Sequence, residues 1–148
     1  NGTVSNSTFV NNSATNGGGA IYESNAQYST FLNNTAVIGG AIQTSDVSYS
    51  LIIGENSQCV DITNTETRMT IATSECGDAL VMDVAELLVG EFDGKIVPLL
   101  AGSPAIDVVA GCPNQYPIYL LTTDQIGTSR PQGEACDMGA VEFVPDAP

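Results

Sequence analysis

A chain of 148 residues is one domain's worth of material, and seventeen carboxylates against three basic residues give it a formal charge of −14. With only Arg68, Lys95 and Arg130 available to meet phosphates, nucleic-acid binding is nearly excluded, and the same charge argues against docking on an anionic membrane. No apolar run approaches the roughly 20 residues that span a bilayer, so no membrane insertion is expected.

Residues 1–54 carry Glu23 and Asp46 as their only charged groups and are rich in Asn, Gly, Ser and Thr. The run Ser7-Thr8-Phe9-Val10-Asn11-Asn12-Ser13-Ala14 recurs as Ser29-Thr30-Phe31-Leu32-Asn33-Asn34-Thr35-Ala36, an offset of 22 residues. A weaker copy, Leu51-Ile52-Ile53-Gly54-Glu55-Asn56-Ser57-Gln58, follows at the same offset. Each of the first two is trailed by a second shared run, Gly18-Gly19-Ala20-Ile21 and Gly39-Gly40-Ala41-Ile42. A unit this short, built from poor helix formers, excludes helical solenoids, and the leucine-rich pattern is missing. The spacing predicts an all-β chain, a right-handed parallel β-helix (solenoid) with rungs of about 22 residues. Phe9, Phe31 and Ile53 are its expected core ladder, spaced about 4.8 Å apart. Asn12, Asn34 and Asn56 are the expected amide ladder at a turn, and the Gly-Gly pairs supply positive φ or close backbone approach. The sequons at Asn1, Asn6, Asn11 and Asn33 are glycosylation candidates, although Asn-rich turns generate such triplets without any glycan.

The single domain, residues 1–148, divides into regular rungs over 1–75, less regular acidic rungs over 76–110 and a C-terminal cap over 111–148. Asp78, Asp83, Glu86, Glu91 and Asp93 in the middle part are weak metal candidates, calcium being the ion that clustered carboxylates suit. No Asp-x-Asp-x-Asp-Gly loop is present, so a solvated face is the preferred reading and no cofactor is expected, with calcium kept as the one candidate. Cys59, Cys76, Cys112 and Cys136 lack the close pairing of zinc sites, and the chain has no histidine; two disulfides and an oxidising compartment follow. Three pairings are open to four cysteines. The sequential one, Cys59–Cys76 with Cys112–Cys136, closes two short loops. In the last part Asp107, Asp124 and Asp137 stand beside Pro or Gly and are expected to accept backbone hydrogen bonds, with Arg130 pairing bidentately with one of them.

The Phe-x-x-Asn and Gly-Gly-Ala-Ile pair, at Phe9–Asn12 with Gly18–Ile21 and at Phe31–Asn34 with Gly39–Ile42, resembles the repeats of polymorphic outer-membrane proteins and of bacterial pectin-lyase-like β-helices. The later motifs resemble β-helix proteins that end in a "choice-of-anchor Q" region. These are Ser103-Pro104-Ala105-Ile106-Asp107, Thr123-Asp124-Gln125, Arg130-Pro131-Gln132-Gly133 and Cys136-Asp137-Met138-Gly139-Ala140-Val141-Glu142. The order of the four cysteines around these motifs is similar to that group too, and favours the sequential pairing. The stretch Asn114–Thr122 departs from the pattern by lengthening the loop after Cys112. The resemblance implies a fold and a secreted or cell-surface address, and no reaction.

Enzymatic chemistry finds little footing. A lyase acting on an anionic polysaccharide needs cations this chain lacks, and a histidine triad cannot be assembled. A pair of carboxylates for glycoside hydrolysis is the surviving route. The reading is a non-enzymatic structural or adhesive module outside the cell. Its partners are other copies stacked head to tail or the upstream β-helix of a longer chain, the first residue being Asn1 rather than Met. The alternative is a module that binds or hydrolyses neutral glycans. An exposed aromatic row would favour it, but Tyr22, Tyr28, Tyr49, Tyr116 and Tyr119 do not share the 22-residue register.

Overall fold

The computed structural model describes residues 2–62, 69–114 and 119–145. Asn1, Arg68, Tyr116 and Asp146 lie outside the described residues. The first coil runs through β1 (Thr3–Ser5), β2 (Thr8–Val10) and β3 (Ile21–Tyr22). The second runs through β4 (Asn25–Gln27), β5 (Thr30–Leu32) and β6 (Ile42–Gln43), and the third through β7 (Val47–Ser48), β8 (Leu51–Ile53) and β9 (Cys59–Val60). Equivalent strands pair in parallel, giving sheet one (β1-β4-β7), sheet two (β2-β5-β8) and sheet three (β3-β6-β9). Sheet two is extended by β10 (Ile71–Ala72) and β11 (Leu80–Val81). A short helix, α1 (Val84–Leu87), and an antiparallel pair, β12 (Pro113–Asn114) with β13 (Tyr119–Leu120), follow. The protein is a parallel β-solenoid of about three turns.

Three interior ladders fill the coil, one from each sheet: Val4–Ala26–Val47, Phe9–Phe31–Ile52–Ala72 and Ile21–Ile42–Cys59. They form one apolar cluster, in which Phe31 is wholly buried and stacks on Phe9 with ring centroids 5.0 Å apart. The position below Phe31 belongs to Ile52, and Ile53 lies beneath Leu32 on the outer face. The expected core ladder is therefore wrong in its third member. The reason is a missing residue in a turn. Ser13 bridges Thr35 at an offset of 22, whereas Gly17 bridges Ile38 at 21, so one residue is absent between these points of the second coil. Every later rung inherits that slip.

The same slip ends the amide ladder early. Asn34 Oδ1 accepts from the backbone N and Nδ2 of Asn12, and Asn34 Nδ2 donates to the Phe9 carbonyl. Asn56 is exposed and out of that register. A serine column that the repeat search did not single out does continue. Ser7 N donates to Ser29 Oγ and Ser29 N to Ser50 Oγ, while Ser29 and Ser50 donate their hydroxyls to the carbonyls of Gln27 and Ser48.

Corners of the coil are made by single residues in the left-handed region. Asn6, Tyr28 and Tyr49 turn the chain from sheet one to sheet two, Asn11 and Asn33 turn it out of sheet two, and Glu23, Thr44 and Asp61 turn it out of sheet three. Asparagine tolerates that conformation better than most L residues, which explains why Asn6, Asn11 and Asn33 stand where they do. Gly18 and Gly39 also have positive φ, and a Cβ on Gly19 would lie 2.1 Å from the Gly40 carbonyl. Both uses expected of the Gly-Gly pairs are realised.

A second core lies outside the coil. The outer face of sheet two, with Leu51, Ile53 and Ile71, packs against Leu87, Leu99, Val109, Leu121 and Met138 from the later part of the chain. The disulfides follow the sequential pairing: Cys59–Cys76 ties β9 to the segment after β10, and Cys112–Cys136 staples the later part. The disulfide-bonded C-terminal region is thus laid along the flank of the solenoid, and it reaches back to the first coil. Asn6 Nδ2 donates to the Thr123 carbonyl at 2.7 Å, and Thr8 Oγ1 donates to Gln125 Oε1.

Candidate functional site

Four C-terminal motifs that the sequence singles out converge on this flank. Gly139 N donates to the Tyr49 carbonyl and Ala140 N to Thr30 Oγ1, so the Met138-Gly139-Ala140 segment lies directly on the second and third coils. Gly139 is required there twice over: its φ is 92°, and a Cβ would stand 2.9 Å from Thr30 Oγ1 and 3.0 Å from Leu51 Cδ1.

The aspartates of the motifs do accept backbone N–H groups. Asp124 Oδ1 takes those of Ile126 and Thr128, and its Oδ2 takes that of Glu142. Asp107 Oδ1 takes Ala135 N, while Asp137 takes Asp107 N and Phe143 N. Burial pushes the Asp137 carboxyl up to about 6, against the lowering effect of those two hydrogen bonds.

Arg130 pairs with none of these three. Its carboxylate partner is Glu142, both side chains being fully buried. Nη1 also donates to the Asp137 carbonyl and Nη2 to those of Gly139 and, more distantly, to Asn6 Oδ1. The guanidinium lies 4.9 Å over the Tyr28 ring, and burial draws its pKa down while Glu142 opposes that. The expectation of an Arg–Asp pair fails because all three aspartates already serve turn amides. Tyr28 and Tyr49 also correct the reading of the tyrosines: at an offset of 21 they do share a register, with ring centroids 4.9 Å apart. They are buried under the C-terminal region and form no exposed row.

The acidic stretch is dispersed. Asp83 caps α1 by accepting from Ala85 N, and Asp93 Oδ1 accepts from Lys95 N and Ile96 N, which holds its carboxyl below the usual range. Among the described residues no group of three or more His, Cys, Asp or Glu is placed to hold a metal. Of the sequon residues, Asn11 and Asn33 are exposed, whereas the Asn6 amide is committed to Thr123.

Surface hollows lie at two places on the described residues. One, of about 350 Å³, is the open N-terminal end of the coil, where Val4, Phe9, Ala20 and Ile21 of the interior meet solvent beside Gly2 and Tyr22. β1, β2 and β3 are the outermost described strands of their sheets at this end. The other hollow, of similar size, lies at the corner after β8, lined by Asn33, Glu55, Asn56, Thr73, Ser74 and Asp83.

Fold and flank define a parallel β-solenoid domain with a laterally packed, disulfide-stapled C-terminal region. Residues 6–22 and 28–45 match the repeat of the Chlamydia polymorphic membrane proteins, the first running from a sheet-one corner through β2 to the end of β3 and the second from the equivalent corner through β5 to two residues beyond β6. No curated protein and no solved structure matches the chain. No helix among the described residues is long and apolar enough to cross a membrane.

Proposed function

We propose that this protein is a non-enzymatic structural or adhesive module of the cell surface, extended by further parallel coils at its N-terminal end. The repeat it shares with polymorphic membrane proteins supports the surface address, and the C-terminal motifs fit a choice-of-anchor Q-like ending. The observation that carries the reading is the open end. An apolar hollow bounded by three unpaired strand edges is an arrangement that proteins normally cover.

Its occupant is the upstream coil of a longer chain or a second copy stacked head to tail, and for the isolated 148 residues the second is the case to test. At the opposite end of sheet two, β11 presents Leu80 and Val81, 60% and 51% exposed, as an apolar edge that could receive β2 of the next subunit. Such a heterologous contact does not close on itself and yields a filament. Carboxylate repulsion opposes it at low salt. Sedimentation and negative-stain imaging of the 148-residue chain test the reading: salt-promoted, end-to-end particles are expected, and a monodisperse monomer at every salt and protein concentration would sink it.

A further inference from the structure

We infer that the corner after β8 is a binding groove for a neutral, hydroxyl-rich saccharide. The groove has an architectural cause. Between sheets two and three the second coil uses nine residues, 33–41, and the third coil only five, 54–58. Ile42 accordingly sits 17 residues before its partner Cys59, whereas Phe31 sits 21 before Ile52. The short turn steps back beneath the long one and leaves a notch, closed on its far side by Thr73, Ser74 and Asp83. A second hollow of about 360 Å³ adjoins it, sharing Asn33, Glu55 and Asn56 and adding Asn34 and Gln58.

The walls carry polar atoms that have no partner among the described residues. Gln58 is only 2% exposed, yet its Oε1 accepts no hydrogen bond, while its Nε2 donates to the Glu55 carbonyl. Ser74 Oγ is likewise buried without a partner. Buried polar groups are nearly always satisfied, so two orphans on one groove point to a ligand that satisfies them. The Gln58 side chain is accommodated by absent neighbours: a Cβ on Gly54 or on Gly40 would come within 2.8 Å of it.

Ligand class follows from the lining. Gln58 Oε1 and the carboxylates of Glu55 and Asp83 are acceptors, Asn33 and Asn56 bring both functions, and Ile53 supplies an apolar wall. An acceptor-rich wall suits sugar hydroxyls, which donate freely. Among the described residues neither hollow is lined by a Lys or Arg, which disfavours uronates and sulfated glycans. The groove lies on the side of the coil, so it does not depend on end-to-end stacking, although it would give an adhesive module its ligand.

The test is an amide-resolved NMR titration of the intact chain, in buffer containing EDTA, with cellopentaose, xylopentaose, mannopentaose, maltopentaose and chitopentaose. Scattering from the same samples reports stacking separately. At least one sugar is expected to shift the amides of residues 53–58 and 73–84. Asn56→Gly, which keeps the positive φ of that corner, and Glu55→Gln should each weaken that sugar about tenfold or more, with unfolding midpoints unchanged, and Val144→Ala, at an exposed position outside the hollows, should bind as the parent does. Silence with all five sugars, shifts centred elsewhere, or unimpaired binding by both groove variants would each overturn the proposal.

Discussion

Arg130 and Glu142 form an ion pair wholly excluded from solvent, and the same guanidinium stands 4.9 Å over the ring of Tyr28. Three things meet at this point: the Arg130-Pro131 motif, the Gly139–Glu142 motif and the corner tyrosine of the second coil. Arg130 Nε and the Tyr28 hydroxyl are buried there without partners among the described residues, so the junction already bears a desolvation cost that its hydrogen bonds offset.

Removing one member of such a pair leaves the other charge buried and unpaired, which costs about 3–5 kcal/mol. Glu142→Ala should therefore destabilise the protein by that amount in urea unfolding. The loss should be much larger than that of an exposed acid such as Glu86→Ala, which surface position limits to about 0.5 kcal/mol. Equal effects would show that the junction does not hold the C-terminal region in place.

Asp137 gives this junction a pH dependence of definite sign. Its carboxyl titrates at about 6 in the folded protein, against an ordinary value of roughly 3.9 when unfolded. Between those values the native state holds a proton that the unfolded chain has released. Stability from this group is therefore complete below about pH 4 and is lost as pH rises through about 6. Thermal unfolding should show the midpoint rising on acidification from neutral pH to about pH 5, and rising less in Asp137→Asn. An identical pH profile for parent and variant would refute the assignment.

The disulfides divide the structure between the two cores. Cys59–Cys76 spans 17 residues and belongs to the interior cluster, while Cys112–Cys136 spans 24 and belongs to the flank. Loop-closure entropy assigns each about 3 kcal/mol. Cys112→Ala with Cys136→Ala should loosen the flank selectively. Hydrogen exchange should then accelerate at Gly139 and Ala140, whose amides bond to the solenoid, while the amide of Phe31 stays protected. Uniform acceleration across all three coils would show that flank and coil do not come apart separately.

What the sequence disclosed tracks the length scale of each feature. The repeat was legible because interior ladders demand the same residue class at each rung, as Phe9 and Phe31 show. The register of the third rung was misread, although the Gly18–Ile21 and Gly39–Ile42 runs stand 21 apart and so already mark the residue missing between Ser13/Thr35 and Gly17/Ile38. Left-handed corners at Tyr28 and Tyr49 carried no signal, since bulky residues seldom adopt positive φ and only the cover supplied by Arg130 and Gly139 accounts for them. The aspartates of the C-terminal motifs were legible as turn acceptors, since Asp124 serves residues two and four positions away. The placement of those motifs on Thr30 and Tyr49 was not, being a contact across about 90–110 residues that no local pattern encodes. The groove was invisible for a related reason: it arises from the difference between two turn lengths.

Phe9 and Phe31 together test the open end. Both rings belong to the same ladder and are nearly parallel, at 5°. Phe31 has a rung on either side, Phe9 above and Ile52 below, whereas Phe9 has a rung below and an open hollow above. In a monomer, Phe31→Ala should cost about 3–5 kcal/mol, the range for a fully buried phenylalanine. Phe9→Ala should cost roughly half as much, because only one of its faces loses contacts. Once another coil seats on the open end, Phe9 becomes an interior residue and the difference should vanish. Unfolding of both variants as a function of protein concentration measures this directly. The Phe9→Ala penalty should grow with concentration and salt toward that of Phe31→Ala, and the variant should form shorter particles. A Phe9→Ala penalty that stays constant across concentration would mean that nothing stacks on this ring.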